Sequence, residues 1–190
     1  MVLAATKRYT VSEYLALEDK AEFKSEFIDG EIIPMAGASA NHNKIAVNFC
    51  RLLPLVIGDQ NYEIFMSDMR LWLPEYSRYT YPDVIVVAGE PVFVDQRQME
   101  VTNPCLIVEI LSSSTQGYDY DSKFRQYRSL PSFREYVLVY QNGYEVDHYV
   151  KEAEDRWVIN THRGEAAVIK LVSVPLEVSL QDLYKRVKFD

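Results

Sequence analysis

Cysteine is scarce in this chain. The two copies, Cys50 and Cys105, each lie in an apolar stretch, one reading as helix and one as strand. Such thiols fit a reducing compartment and argue against a disulfide framework or a thiolate metal site. Long apolar runs are missing too. No stretch of 18 or more apolar residues and no apolar leader segment occurs, so neither a membrane span nor secretion is indicated, and the expected location is cytoplasmic. Positive charge is in deficit: 20 Lys and Arg face 28 Asp and Glu, for a net charge of −8. No global basic field draws in nucleic acid, so binding to it would need a local basic patch. Internal repeats, low-complexity segments, linkers and any separate base-reading module are absent as well.

What is present is ordinary in bulk. With 190 residues, 48% hydrophobic and 25% charged, the chain suits one domain over residues 1–190 with a full-sized core. Thr10 or Ser12 caps a short helix carrying Tyr14, Leu15 and Leu17. Asp29-Gly30, between two apolar runs, signals a tight hairpin. A helix is expected from about His42 to Ile57, ended or kinked by Pro54. Residues 62–65 and 69–73 read as strands, and 75–80 as a polar connection. A helix is expected from Asp119 to Arg128, then a strand over 136–140, the turn Asn142-Gly143, two or three further strands and a short terminal helix after Ser179. The order predicts an α+β fold built on a mixed β-sheet flanked by helices.

The chemistry concentrates between residues 81 and 127. Pro82-Asp83-Val84-Ile85-Val86-Val87 and Pro104-Cys105-Leu106-Ile107-Val108-Glu109-Ile110-Leu111 are nearly unbroken apolar runs, the pattern of strands covered on both faces. Each carries one carboxylate with no packing reason to be there. A buried carboxylate costs several kcal/mol, in order of magnitude, unless something compensates it. Two of them on neighbouring strands suggest a shared compensator, and a divalent metal is the simplest. Asp119, Lys123 and Tyr127 stand four apart and share one helical face. Two carboxylates and a lysine form a phosphodiester-cleaving set: the acids hold Mg²⁺ or Mn²⁺ and the lysine orients or deprotonates a water. Blander readings exist for each. Asp83 could cap a strand edge, Glu109 could sit in a metal-free ion pair, and Lys123 could be an ordinary exposed helix lysine; as the catalytic lysine it is expected to be dispensable for folding and for Mn²⁺ binding.

These segments, in this order, resemble the Uma2 family of restriction-endonuclease-like proteins. Glu26-Phe27-Ile28-Asp29-Gly30-Glu31-Ile32 and His42 resemble that family's N-terminal signature, so the likeness covers roughly residues 9 to 150. The resemblance implies a PD-(D/E)xK nuclease fold with Asp83 and Glu109 as catalytic metal ligands. The lysine expected two residues after the acid is replaced by Leu111, and Lys123 on the following helix takes its part. Glu26 matches an acid near the metal, while His42 and Tyr127 would support the site or touch substrate. Ser113 and Tyr140 depart from the family's usual proline and aspartate.

The implied activity is metal-dependent endonucleolytic hydrolysis of DNA. A catalytically silent binding or scaffold module that kept the fold is the competing reading, and hydrolysis of another phosphodiester a third. Duplex symmetry suggests a homodimer, with the rings of Tyr140, Tyr144, Tyr149 and Trp157 as an amphipathic interface unless they finish the core instead.

Overall fold

A computed structural model describes residues 7–111 and 122–189. The expected polar loop at 112–115 and Asp119 lie outside the described residues. Helices α1 (Val11–Glu18), α2 (Ala40–Leu52), α3 (Phe124–Tyr127) and α4 (Leu180–Leu183) accompany fourteen described strands.

The central layer is a seven-stranded mixed sheet in the order β12-β11-β10-β9-β7-β4-β3. Its middle strands are β7 (Val84–Ala88), β9 (Leu106–Leu111) and β10 (Glu135–Tyr140). All of β9 is buried, as its unbroken apolar run demands. β9 pairs antiparallel with β7 and parallel with β10. Beyond β10 lie β11 (Glu145–Ala153) and β12 (Arg156–Arg163), and on the other side β4 (Gln60–Met66) and β3 (Val56–Ile57).

Side-chain alternation divides the core in two. Val84, Val86, Leu106, Val108, Ile110 and Val137 face one way and meet α2 and α4, together with the hairpin of β13 (Val168–Leu171) and β14 (Leu176–Ser179). Ile85, Val87, Ile107, Leu111 and Leu138 face the other way. There they meet α3 and a second, five-stranded sheet, ordered β2-β1-β6-β5-β8. That sheet comprises β1 (Ser25–Ile28), β2 (Glu31–Pro34), β5 (Arg70–Leu73), β6 (Arg78–Thr80) and β8 (Glu100–Val101). α1 covers its outer side through Tyr14, which packs on Phe27 and Tyr79.

Local signals explain several elements. Thr10 and Glu13 exchange the reciprocal bonds of a capping box at the start of α1. Asp29 and Gly30 both take positive φ, 50° and 82°, the two-residue turn that joins β1 to β2. α2 begins at Ala40 behind the cap Ser39 and ends at Leu52, earlier than the Ile57 expected. Pro54 cannot continue it, and Val56 and Ile57 pair with β4 instead. The connection read at 75–80 contains β6, whose Tyr79 pairs with Phe27. The helix expected from Asp119 to Arg128 is, among the described residues, the single turn of α3 after a wider turn at 122–123.

The aromatic residues offered as an interface mostly finish the domain's own core. Tyr149 is buried, and Phe124 lies 4.6 Å from its ring and 5.1 Å from that of Trp157. Tyr144 meets Tyr184 and Phe189 at 5.2 and 5.0 Å. Tyr140 donates its hydroxyl to Asp147 at 2.8 Å.

Candidate active site

The site forms where the two sheets and α3 meet. β7 and β9 set Val84 opposite Val108, so one step outward in the same antiparallel register Asp83 stands opposite Glu109. Glu109 points into the layer shared with the five-stranded sheet, because its neighbours Val108 and Ile110 belong to the opposite face. It is only 3% exposed. Its Oε1 accepts from Lys123 Nζ at 3.0 Å and from the Tyr127 hydroxyl at 2.7 Å. These two donors supply the compensation that a buried carboxylate requires.

Lys123 is itself buried, at 8% exposure. Its ammonium lies 3.0 Å from Glu109 and 3.7 Å from Glu26. The lysine holds this place because α3 is wedged by rings on either side. Phe124 stacks on Tyr136 at 5.8 Å, and Tyr127 packs edge-on against Phe133 at 5.9 Å and Tyr136 at 5.7 Å. Burial, then the charges of Glu109 and Glu26, push the Tyr127 phenol far above its ordinary pKa, so its hydroxyl stays a donor.

Glu26 enters from the five-stranded sheet. Phe27 turns outward to Tyr14, so Glu26 turns inward. Its Oε1 accepts from the Thr80 hydroxyl, and its Oε2 stands 3.7 Å from Arg78. Arg78 also donates to Gln126 on α3. Desolvation lowers the Arg78 pKa, and Glu26 opposes that shift.

Asp83 is held differently. Its Oδ2 accepts from the backbone N–H of Ile110 at 2.8 Å and lies 3.0 Å from His42 Nε2. The amide that fixes Asp83 therefore belongs to the residue after Glu109. His42 reaches it from the first turn of α2, where its own N–H donates to the capping Ser39 hydroxyl at 3.0 Å. Asp83 is thus anchored at the strand end by an amide and an imidazole, with no lysine or arginine beside it among the described residues.

The structure hydrogen-bonds Lys123 and Tyr127 to Glu109 and brings Glu26 to the same ammonium as an ion pair at 3.7 Å, with Asp83 and His42 coupled to the cluster through consecutive residues of β9. Two members were not expected from the sequence, Arg78 and Thr80. The only signal was weak: Tyr79 and Thr80 are β-favouring residues, but the three-residue strand is buried throughout and has no polar–apolar alternation to read. Lys123 is not the exposed helix lysine that its spacing allowed.

Asp83 and Glu109 offer the hard oxygen donors that Mg²⁺ and Mn²⁺ take. Among the described residues no group of three or more His, Cys, Asp and Glu is arranged to hold a metal ion. Mg²⁺ is commonly bound through one or two carboxylates, with waters and substrate phosphates completing its shell. The donor set fits that mode and no fuller cage.

This architecture defines a class. A crystal structure described as "a putative nuclease belonging to DUF820" from Anabaena variabilis superposes with a TM-score of 0.68, covering 92% of this chain and 97% of that one. At 19% identity the likeness establishes the fold, α+β and restriction-endonuclease-like. The family follows from sequence: the profile of Uma2, "Putative restriction endonuclease", matches residues 11–181. This chain belongs to the Uma2 family. An uncharacterized protein of Synechocystis sp. is 55% identical over 170 residues, spanning 90% of this chain and 96% of its own length. A second from the same organism is 33% identical over 178 residues, with 93% and 92% covered.

Proposed function

We propose that the chain is a metal-dependent endonuclease that hydrolyses phosphodiester bonds in DNA. The carrying observation is the buried cluster itself: Glu109 and Glu26 share the Lys123 ammonium beside the anchored Asp83. Ionisable groups are seldom gathered at a strand end for stability alone, because an apolar replacement is often as stable.

In this reading Asp83 and Glu109 hold Mg²⁺ or Mn²⁺. The bound ion would neutralise charge on the phosphate and make a coordinated water more acidic. The remaining work falls to the chain. Lys123 Nζ donates to the attacking water or to a phosphate oxygen. Tyr127 fixes the rotamer of Glu109 through Oε1, and His42 and the Ile110 amide fix Asp83. Glu26, tied to Arg78 and Thr80, steadies Lys123 between the two carboxylates. The net charge of −8 favours the competing reading, a silent module that keeps the fold.

Incubation of supercoiled plasmid with the purified chain and Mn²⁺ separates the two. Nicking that disappears with chelator and falls at least ~10²-fold in Asp83→Asn supports the nuclease. Intact plasmid with folded protein at every Mn²⁺ concentration returns the chain to the silent class.

A further inference from the structure

Negative charge is unevenly distributed along this chain. No Asp or Glu stands between Glu31 and Asp59, although the protein carries 28 acids in 190 residues. That interval contains α2, whose Asn41, Lys44, Asn48 and Arg51 stand three, four and three apart and so form one stripe. The core takes a different side of the helix, through Ile45, Ala46 and Phe49. Beside the stripe lies the segment after α4, which carries Lys185, Arg186 and Lys188.

The asparagines of the stripe hold that segment by its backbone. Asn41 Nδ2 donates to the Lys188 carbonyl at 2.7 Å, and Asn41 Oδ1 accepts from the Lys188 amide at 3.3 Å. Asn48 donates to the carbonyls of Leu183 and Lys185, both at 2.9 Å. The charged side chains are left to solvent: Arg51, Lys185, Arg186 and Lys188 are exposed, and Lys44 is half-buried. None of these five forms an ion pair among the described residues. Arg156, Arg163 and Lys170 differ, since they meet Glu152, Glu145 and Glu177 at 2.5, 2.7 and 3.0 Å. Asp182, near the segment in sequence, accepts from the Ser179 hydroxyl at 2.7 Å. Arg186 takes a φ of 64°, in the left-handed region that favours glycine, so a cation stands where the backbone asks for none. Like charges gathered without counter-ions repel one another, and stability gives no reason for them. An external polyanion does.

We propose that this basic ridge, formed by α2 and the segment after α4, seats the phosphate backbone of duplex DNA, an inference that rests on the nuclease reading above. The ridge meets the site at its first turn: His42, the neighbour of Asn41, lies 3.0 Å from Asp83. From Lys44 to Arg51 the helix rises about 10 Å, long enough to follow several phosphates of a duplex with one charge per about 1.7 Å of axis. Asn41 and Asn48, the side chains that could read base edges, are occupied by the segment's backbone. The ridge therefore supplies affinity and position but no sequence preference.

The test is fluorescence anisotropy of a duplex of about 20 base pairs in EDTA, where metal-dependent cleavage is silent, across a series of salt concentrations. Lys44→Gln, Arg51→Gln and Lys188→Gln together should weaken binding at least ~tenfold. They should also flatten the slope of log affinity against log salt by about 2.7, at ~0.9 for each lost phosphate contact. Arg156→Gln, Arg163→Gln and Lys170→Gln, removing cations that are already paired, should change affinity less than ~twofold. Both triple variants alter surface side chains and should keep the wild-type urea midpoint. Equal binding by the two triple variants, an unchanged salt slope in the ridge variant, or no binding by wild type at low salt would each overturn the proposal. Plasmid nicking with Mn²⁺ is read separately. Nicking with an unchanged slope overturns the ridge alone, and a flattened slope without nicking supports the ridge while overturning the cleavage reading.

Discussion

Lys123 shows how far burial changes the meaning of a residue. Four-residue spacing put it on one helical face with Tyr127, and nothing in that spacing distinguished a surface lysine from a buried one. In the structure its ammonium lies 3.0 Å from Glu109 and 3.7 Å from Glu26. Removing it leaves two carboxylates short of compensation, so Lys123→Ala should destabilise the fold by about 3 kcal/mol, the scale for breaking a buried pair. Pairing it with Glu109→Gln should recover much of that loss, which urea unfolding of both variants would measure. A lysine serving only catalysis would leave the midpoint unchanged. Tyr127→Phe should be milder, about 1–2 kcal/mol, because a buried acceptor loses one of its donors. Asp83 and Glu109 were legible because a carboxylate breaks an apolar run. Arg78 and Thr80 were not, because the partner that buries them lies 54 residues away at Glu26 for Thr80 and 48 at Gln126 for Arg78.

At the scale of elements, short-range signals read well. The Thr10 cap and the Asp29-Gly30 turn need only local chemistry, and both stand where the sequence put them. Elements set by tertiary contacts read poorly. α2 stops at Leu52, and β3 takes the residues that the helical pattern had claimed. The apolar pattern could not separate a helix end from an edge strand. The Asp29-Gly30 turn aims β1, and with it Glu26, at the site. A Cβ on Gly30 would meet the Tyr9 carbonyl oxygen at 3.4 Å with φ held at 82°. Gly30→Ala should therefore cost about 1 kcal/mol or more, seen as a lower urea midpoint. An unchanged midpoint would show that the turn does not hold β1.

For the whole molecule, the buried tyrosines set an alkaline limit. Burial pushes the phenols of Tyr14, Tyr81, Tyr127 and Tyr184 well above their ordinary value. Their contribution to stability is complete below the unfolded pKa of about 10 and is lost as pH rises beyond it. Tyrosinate absorbance from these four should emerge together with unfolding, not before it, in a titration followed by circular dichroism. Ionisation of all tyrosines within a retained fold would contradict their burial. Assembly is a separate matter. With Tyr149 and its neighbours turned into the core, a homodimer rests on duplex symmetry alone, and sedimentation at micromolar concentration would settle its mass.

The account stands on Asp83 and Glu109 sharing one ion at the ends of β7 and β9. A crystal soaked in Mn²⁺ and measured at the manganese edge tests this directly. The expected result is one anomalous peak between the two carboxylates, with oxygen ligands at about 2.1 Å and Lys123 Nζ still within reach of Glu109. A map with no peak there, at Mn²⁺ concentrations that saturate a known Mg²⁺ enzyme, would leave the cluster a structural ion network and the nuclease reading without its metal.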